Sequence, residues 1–390
     1  MSVTCAKGFV AGGTACGIKE SGAPDLAVVA TEDRRAVPAA GVFTRNVACA
    51  APVQISRAHL ADGKAGAVVL SSGNANAATG EQGRRDAQRM TELTGAGLGL
   101  AADDVLVCST GLIGYVMPMD KLEAGIPALC TDLNGPQAAA DAILTTDTVR
   151  KEATAAVGAT GAVVGGMAKG AAMLSPAMAT MLAVLTTDAV AGPAVLRRAL
   201  AAAVVPTFNA MIVDGSMSTN DTVLVLANGA AGVTCESRSE IHALTDALTD
   251  VCGSLAEQMA RDAEGATKFV RLTVTGARTE AEAVLAARQI AGSQLVQCSF
   301  LGQDPYWGRL LSEAGASGAM FDPEQVTITY GGVLACRDGI EARTDLDALR
   351  AVMAAHDIEV VVDLGAGRAE ATTIFTDLTH AYIDENAGTS

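Results

Sequence analysis

The sequence predicts a mixed α/β chain arranged as two domains, and three observations carry that prediction. Short apolar runs of strand length alternate with longer segments of helical periodicity along the whole chain. The 390 residues are enough for two sizeable cores. Near Gly276 the pattern changes character, as an alternating strand gives way to a charged helix.

In chain order, residues 26–30, 67–70 and 105–108 are apolar runs bounded by Gly, Asp, Asn or Ser, the pattern of strands buried on both faces. Residues 81–93 read as a helix behind Thr79 and Gly80, and the GAGLGL run from Gly95 reads as a loop. Pro193 suits the first turn of a helix over 193–204, whose Ala-rich end consists of ordinary helix formers. A strand over 223–227 and a long helix over 239–261 follow. Beyond them, the alternating strand 269–275 precedes a helix over 279–290 and a hairpin whose arms, 326–330 and 333–336, flank Gly331 and Gly332. A helix over 345–356 and strands over 358–362 and 369–375 complete the chain. The domains are therefore expected to be 1–276 and 277–390.

Composition narrows the function. Half of the residues are apolar but only 3% are aromatic, so Ala, Val, Leu and Met must build the core. A net charge of −16 argues against nucleic acid and anionic membrane surfaces, which basic patches bind. No uninterrupted apolar stretch reaches the ~20 residues of a membrane helix, and no charged n-region with an apolar h-region opens the sequence. Nine cysteines without a CxxC pair suggest reduced thiols. Together these features fit a cytoplasmic enzyme acting on small molecules.

Several segments are candidates for that chemistry. In KGAAMLSPAMATML, residues 169–182, the small Ala179 directly precedes Thr180. A threonine hydroxyl is a weak nucleophile unless a base adjoins it, and cleavage before Thr180 would supply one: a free α-amine with a pKa of about 7.7 to 8.0. Taken alone, the same apolar run reads as a buried helix or strand rich in Met and Ala. Cys108 to Gly114 form a strand end and a Gly-punctuated turn, which can aim an N–H and a hydroxyl at one point or simply join two elements. Thr145, Thr146, Asp147 and Lys151 place hydroxyls and opposite charges together, which on spacing alone is also a helix end with a local ion pair. Lys169 lies in a Gly-rich apolar stretch, where a lysine needs a partner and is a candidate for a substrate carboxylate. Asp262 and Glu264 close the long helix against its macrodipole, unless they are merely solvated. The four histidines have no nucleophile elbow or metal-ligand spacing near them.

The spaced blocks GFVAGG, GVFTRN, SSGNANAATG, CSTGLIG, TTDT, MAKG, MATML, GSMSTNDT, DAEGATK, DPYWGR and DLTHAYIDEN occur in one order along nearly the whole chain. In these blocks the sequence resembles the ornithine acetyltransferase (glutamate N-acetyltransferase) family of arginine biosynthesis. The resemblance implies a layered N-terminal-nucleophile-hydrolase-like sandwich of the DmpA and ornithine acetyltransferase type, with a smaller C-terminal α+β domain completing the substrate site. It also implies self-cleavage between Ala179 and Thr180. Thr180 would then carry acetyl from N-acetylornithine to glutamate in a ping-pong reaction, with Thr110 and Gly111 as the oxyanion hole. Thr146, Lys169, Thr180, Glu264, Asn386 and, weakly, Thr389 and Ser390 would contact substrate. No metal or cofactor is implied, acetyl-CoA is a donor for some members, and two cleaved protomers would form an α2β2 heterotetramer.

The chain departs from the family pattern at Ala172, where a glycine is usual, at Arg150 in place of proline, and at Tyr306 in place of asparagine. Its tail after Asn386 lacks the usual Tyr. These departures leave two alternatives open, a specialised paralogue with a different amine or acyl substrate and an N-acyl amino acid or peptide hydrolase.

Overall fold

The computed structural model describes residues 2–173 and 181–388. Ala179, Thr180, Thr389 and Ser390 thus lie outside the described residues. The chain divides into two compact units, the first holding most of the chain up to Met259 and the second comprising Ala210–Ser216 with Ala260–Ser390.

In the first unit the strands are β1 (Phe9–Thr14), β2 (Leu26–Thr31), β3 (Val37–Phe43), β4 (Lys64–Ala65), β5 (Ala67–Asn74), β6 (Val105–Leu112), β7 (Lys151–Ala156), β8 (Val163–Lys169) and β9 (Leu182–Thr187). The short β10 (Met211–Ile212) belongs to the second unit, and β11 (Thr222–Ala227) returns to the first. Two sheets result, one of order β1-β2-β5-β6 and one of order β4-β3-β11-β9-β8-β7. Their facing sides share one core, in which Val29, Val68, Leu70 and Leu106 lie with Met167, Val184, Leu224 and Leu226. On its outer face the four-stranded sheet carries Met90 and Leu98 of α2 (Gly80–Leu98) and Leu122, Ile126 and Leu129 of α3 (Met119–Thr131), α1 being Ala51–His59. The six-stranded sheet is covered in turn by α5 (Pro193–Val204) against β3 and by Val251 and Leu255 of α6 (Arg238–Arg261) beside β8. This helix-sheet-sheet-helix layering is the expected sandwich, and it explains the sequence signal: strands covered on both faces read as continuous apolar runs.

Small residues set the layer spacing. A Cβ added at Gly13 would stand 2.0 Å from the Ala138 carbonyl oxygen of α4 (Pro136–Ala142), which packs on β1. At Gly166 it would meet Leu185, Val251 and Leu255 within 3.2 Å. One expectation fails: Gly95 to Leu98 form the last turn of α2 rather than a loop, and Gly99 caps it at φ +74°. Gly95 is needed there because a Cβ would approach the Leu100 carbonyl oxygen at 2.8 Å, so the glycine serves close packing instead of breaking the helix.

The second unit is one mixed sheet of order β10-β17-β12-β16-β13-β14-β15. Its strands are β12 (Phe269–Ala277), β13 (Thr327–Tyr330), β14 (Val333–Arg337), β15 (Ile340–Glu341), β16 (Asp357–Asp363) and β17 (Ala369–Thr376). The helices α7 (Glu280–Gly292), α8 (Gln294–Leu301), α9 (Trp307–Ala316) and α10 (Leu346–Ala354) supply Ile290, Phe300, Leu310 and Met353 to a core that also holds Val270, Leu272 and Val274 of β12 and Val360 of β16. The predicted hairpin forms between β13 and β14, with Gly331 and Gly332 at φ +54° and +79°, as a primed turn requires. A short helix, α11 (His380–Asn386), ends the described chain.

Glycine packing gives a stability test. Gly13→Ala should lower unfolding free energy by about 3 kcal/mol, as overpacking against a fixed carbonyl does. Gly253→Ala in α6, whose Cβ meets only Thr207 at 3.5 Å, should raise it by roughly 0.5 kcal/mol or more through helix propensity. Urea titrations of both variants read the difference.

Candidate active site

The ends of β6 and β8 hold three predicted residues of the first unit, Thr110, Gly111 and Lys169. Parallel β5 and β6 stay in register through Gly73 and Gly111, whose φ angles are +105° and +129°, and the pairing becomes irregular at Asn74. A Cβ on Gly111 would stand 2.3 Å from the Gly73 carbonyl carbon, so this turn admits no side chain. Thr110 is 2% exposed, while Gly111 opens to solvent. Buried amides brace the turn: Asn74 donates to the Val116 carbonyl at 3.1 Å, and Asn220 donates to the carbonyls of Ala75 and Ser109 at 2.6 and 2.8 Å. A hydroxyl and the N–H groups of a Gly turn are thereby fixed at one strand end, the geometry on which an oxyanion hole depends.

Lys169 reaches the same place from the end of β8. It is 2% exposed, and its Nζ donates to the Thr110 hydroxyl at 3.3 Å. Its backbone pairs with Leu182, so the lysine stands at the first rung of β9, two residues after Thr180 in sequence.

Asp147 lies beside it with a side chain that is 0% exposed. Lys151 donates to its Oδ1 at 2.6 Å, as does the Gly170 N–H at 2.6 Å, while the Thr145 N–H donates to Oδ2 at 3.1 Å. The Lys169 Nζ stands 3.8 Å from that Oδ2. Burial alone would raise this carboxyl, but the charges of Lys169 and Lys151 with the Lys151 and Gly170 hydrogen bonds hold it down at about 2. The local ion pair expected from the spacing is present, although the segment is the connection between α4 and β7 and not a helix end. Thr146, next to Asp147, is exposed on that connection.

Glu264 and Asn386 belong to the second unit, where the Asn386 amide donates to the Glu264 carboxylate at 2.8 Å and to the Tyr382 carbonyl at 2.9 Å. Gly265, at φ +62°, lets α11 pack on this turn: a Cβ there would lie 2.4 Å from the Tyr382 nitrogen. The Thr379 hydroxyl donates to the Gly265 carbonyl at 2.7 Å, and the Tyr382 hydroxyl donates to Asp214 at 3.2 Å.

Against this geometry, the profile of the ArgJ family matches residues 10–389. The chain belongs to the ArgJ family. It is similar to the arginine biosynthesis bifunctional protein ArgJ of Streptomyces coelicolor, with 48% identity over 395 residues and 100% of both chains covered. The protein of that name from Mycobacterium tuberculosis is 45% identical over 397 residues, covering 100% of this chain and 96% of its own. A solved ArgJ structure from Bacillus halodurans aligns with a TM-score of 0.50 at 35% identity, over 52% of this chain and 96% of the solved one.

Two departures from the ArgJ family pattern sit at the surface. Arg150 pairs with Asp141 at 2.9 Å where both are more than a third exposed, and Tyr306 is 54% exposed beside Arg309. Sequence reasoning missed Lys19, Asn220 and Asp221. The half-buried Lys19 donates to the Leu144 carbonyl at 2.7 Å, and its ammonium is destabilised by burial and by Lys169, with Asp25 and Asp147 opposing. Asn220 and Asp221 stood inside the GSMSTNDT block, but that block carried only the resemblance.

A carboxyl held near 2 contributes about 2 kcal/mol of stability above the unfolded pKa of about 3.9, lost as pH falls through the folded value. Asp147→Asn should remove that acid-sensitive component and, by withdrawing a carboxylate shared by two buried lysines, cost about 3 to 5 kcal/mol at pH 7. Urea unfolding from pH 7 down to pH 3 measures both effects.

Proposed function

We propose that this chain is a self-processing acyltransferase of arginine biosynthesis that moves acetyl from N-acetylornithine to glutamate through an ester on Thr180. The observation that carries the reading is the buried Lys169 ammonium on the Thr110 hydroxyl, beside the Gly111 turn and at the first rung of β9. A cation and N–H donors fixed at one strand end favour a developing oxyanion and a substrate carboxylate. The names of the ArgJ relatives support the pathway.

Maturation starts when the Thr180 hydroxyl attacks the Ala179 carbonyl. The peptide C–N bond breaks, the nitrogen takes the hydroxyl proton, and water hydrolyses the ester to leave an Ala179 carboxylate and a free Thr180 amine. In turnover that amine takes the hydroxyl proton as the oxygen attacks the acetyl carbonyl. Ornithine leaves with the proton, and the glutamate amine then accepts the acetyl group. Thr110 and Gly111 stabilise both tetrahedral intermediates, while Thr146 and Lys169 hold the amino acid. The family resemblance assigns the substrate's positive end to Glu264, which Asn386 holds. The reading needs no metal or cofactor, takes acetyl-CoA as a possible second donor, and assembles two cleaved protomers as α2β2.

Intact mass should reveal two fragments divided before Thr180, and Thr180→Ala should stay whole and inactive. Thr110→Ala should lower kcat by about 10²- to 10³-fold. Initial rates at varied N-acetylornithine and glutamate should give parallel double-reciprocal lines. Intersecting lines, or a single intact active chain, would overturn the proposal, and release of acetate without glutamate would make the enzyme a hydrolase.

A further inference from the structure

Asp221 precedes β11 and is 0% exposed. Its Oδ1 accepts the Met181 N–H at 3.1 Å, and the Met181 carbonyl accepts the Thr222 N–H at 3.1 Å. Met181 is thus held through both its N–H and its carbonyl, beside the first rung of the parallel β9 and β11 pair. The adjacent Asn220 amide binds the carbonyl of Ser109, the residue before Thr110, at 2.8 Å. One two-residue turn therefore ties the beginning of β9 to the strand that carries Thr110. The other carboxyl oxygen of Asp221, Oδ2, is buried without a hydrogen-bond partner among the described residues.

We infer that Asp221 is a positioning residue for the acyl transfer, clamping the Met181 peptide in register with Thr110 and Lys169. The inference rests on the function proposed above. Burial pushes the Asp221 carboxyl well above the usual carboxylate range, outweighing the Met181 N–H, the Ser218 side chain and the charge of Lys169. In its neutral form the carboxyl holds the Met181 N–H without competing with Asp147 for the Lys169 ammonium, and this is the form the clamp is inferred to use. The groups facing it are the Met181 N–H just before β9, the Ser218 hydroxyl from its own turn, and the Lys169 ammonium from β8, while its own carbonyl accepts the Thr44 N–H beyond β3. If the carboxyl ionises, it draws Lys169 away from Thr110 and activity falls as pH rises.

The test compares Asp221→Asn and Asp221→Leu in the full chain, with N-acetylornithine and glutamate as substrates. Asn keeps a neutral acceptor for the Met181 N–H; it should stay within about tenfold of the parent kcat and abolish the alkaline decline. Leu should lower kcat by about 100-fold or more while KM changes less than about threefold. The inference is overturned if Leu turns over like the parent, if Asn is as slow as Leu, or if Asn leaves the alkaline limb in place. Should Leu fail to fold, the Asn pH profile decides alone. Thr180→Ala run alongside separates the two claims: activity in that variant sinks the proposed function, whereas an inactive Thr180→Ala beside a fully active Asp221→Leu sinks only the clamp.

Discussion

Asp147 receives the Lys151 ammonium and the Gly170 N–H on one oxygen and the Thr145 N–H on the other, with Lys169 3.8 Å away. Three stretches of chain meet at this carboxylate: the connection bearing Thr146, the beginning of β7, and the end of β8. Taking a carboxylate and two ammonium groups out of water carries a large desolvation penalty, which only close and multiple hydrogen bonds offset. Here they do so, and the consequence is geometric. The loops of the first unit's reactive end can take up very few arrangements without breaking a buried charge-assisted bond.

That rigidity needs a scaffold with its layers close together, and the small side chains supply it. With aromatic residues at 3%, the space between the two sheets is filled by Ala, Val and Leu, and helices approach strands at Gly13 and Gly166 where a methyl group would collide. Close layers bring the ends of β6, β8 and β11 to one place. The second unit follows different rules: its larger side chains, Phe300, Tyr330 and Phe375, cluster on one sheet under α7 to α10.

Most of the architecture was legible because its signals are local. Buried strands such as β2 and β11 announce themselves as unbroken apolar runs, and Gly331 with Gly332 fixes a hairpin by backbone conformation alone. Gly95 misled for the opposite reason: its role depends on Leu100 and Ala101 folding back against the helix, which no local window reveals. In the site, Lys169 stood out as a lysine in an apolar Gly-rich stretch, whereas Thr110 and Gly111 took their role only from the resemblance, since a Gly-rich turn is ambiguous alone. Thr180 lies outside the described residues. Asp221 was invisible because its environment is assembled from β3, β8, β9 and β11, and burial of that kind is a tertiary property.

The charge of Lys169 acts on two carboxyl groups whose environments drive them apart. Asp147 has two lysines and two backbone N–H donors and is held as an anion at about 2. Asp221 is as deeply buried, but its hydrogen bonds and the charge of Lys169 do not compensate for the lost hydration, so it is driven toward the neutral form. Two carboxylates here would compete for the ammonium and pull it off Thr110; one anion and one neutral acid let it keep its charge and its contact with the hydroxyl. Enzymes divide roles between like groups by this separation of environments. The asymmetry is a property of the first unit itself, because every group that produces it lies on β7, β8 or the segments that precede β7, follow β8 or lead into β9 and β11.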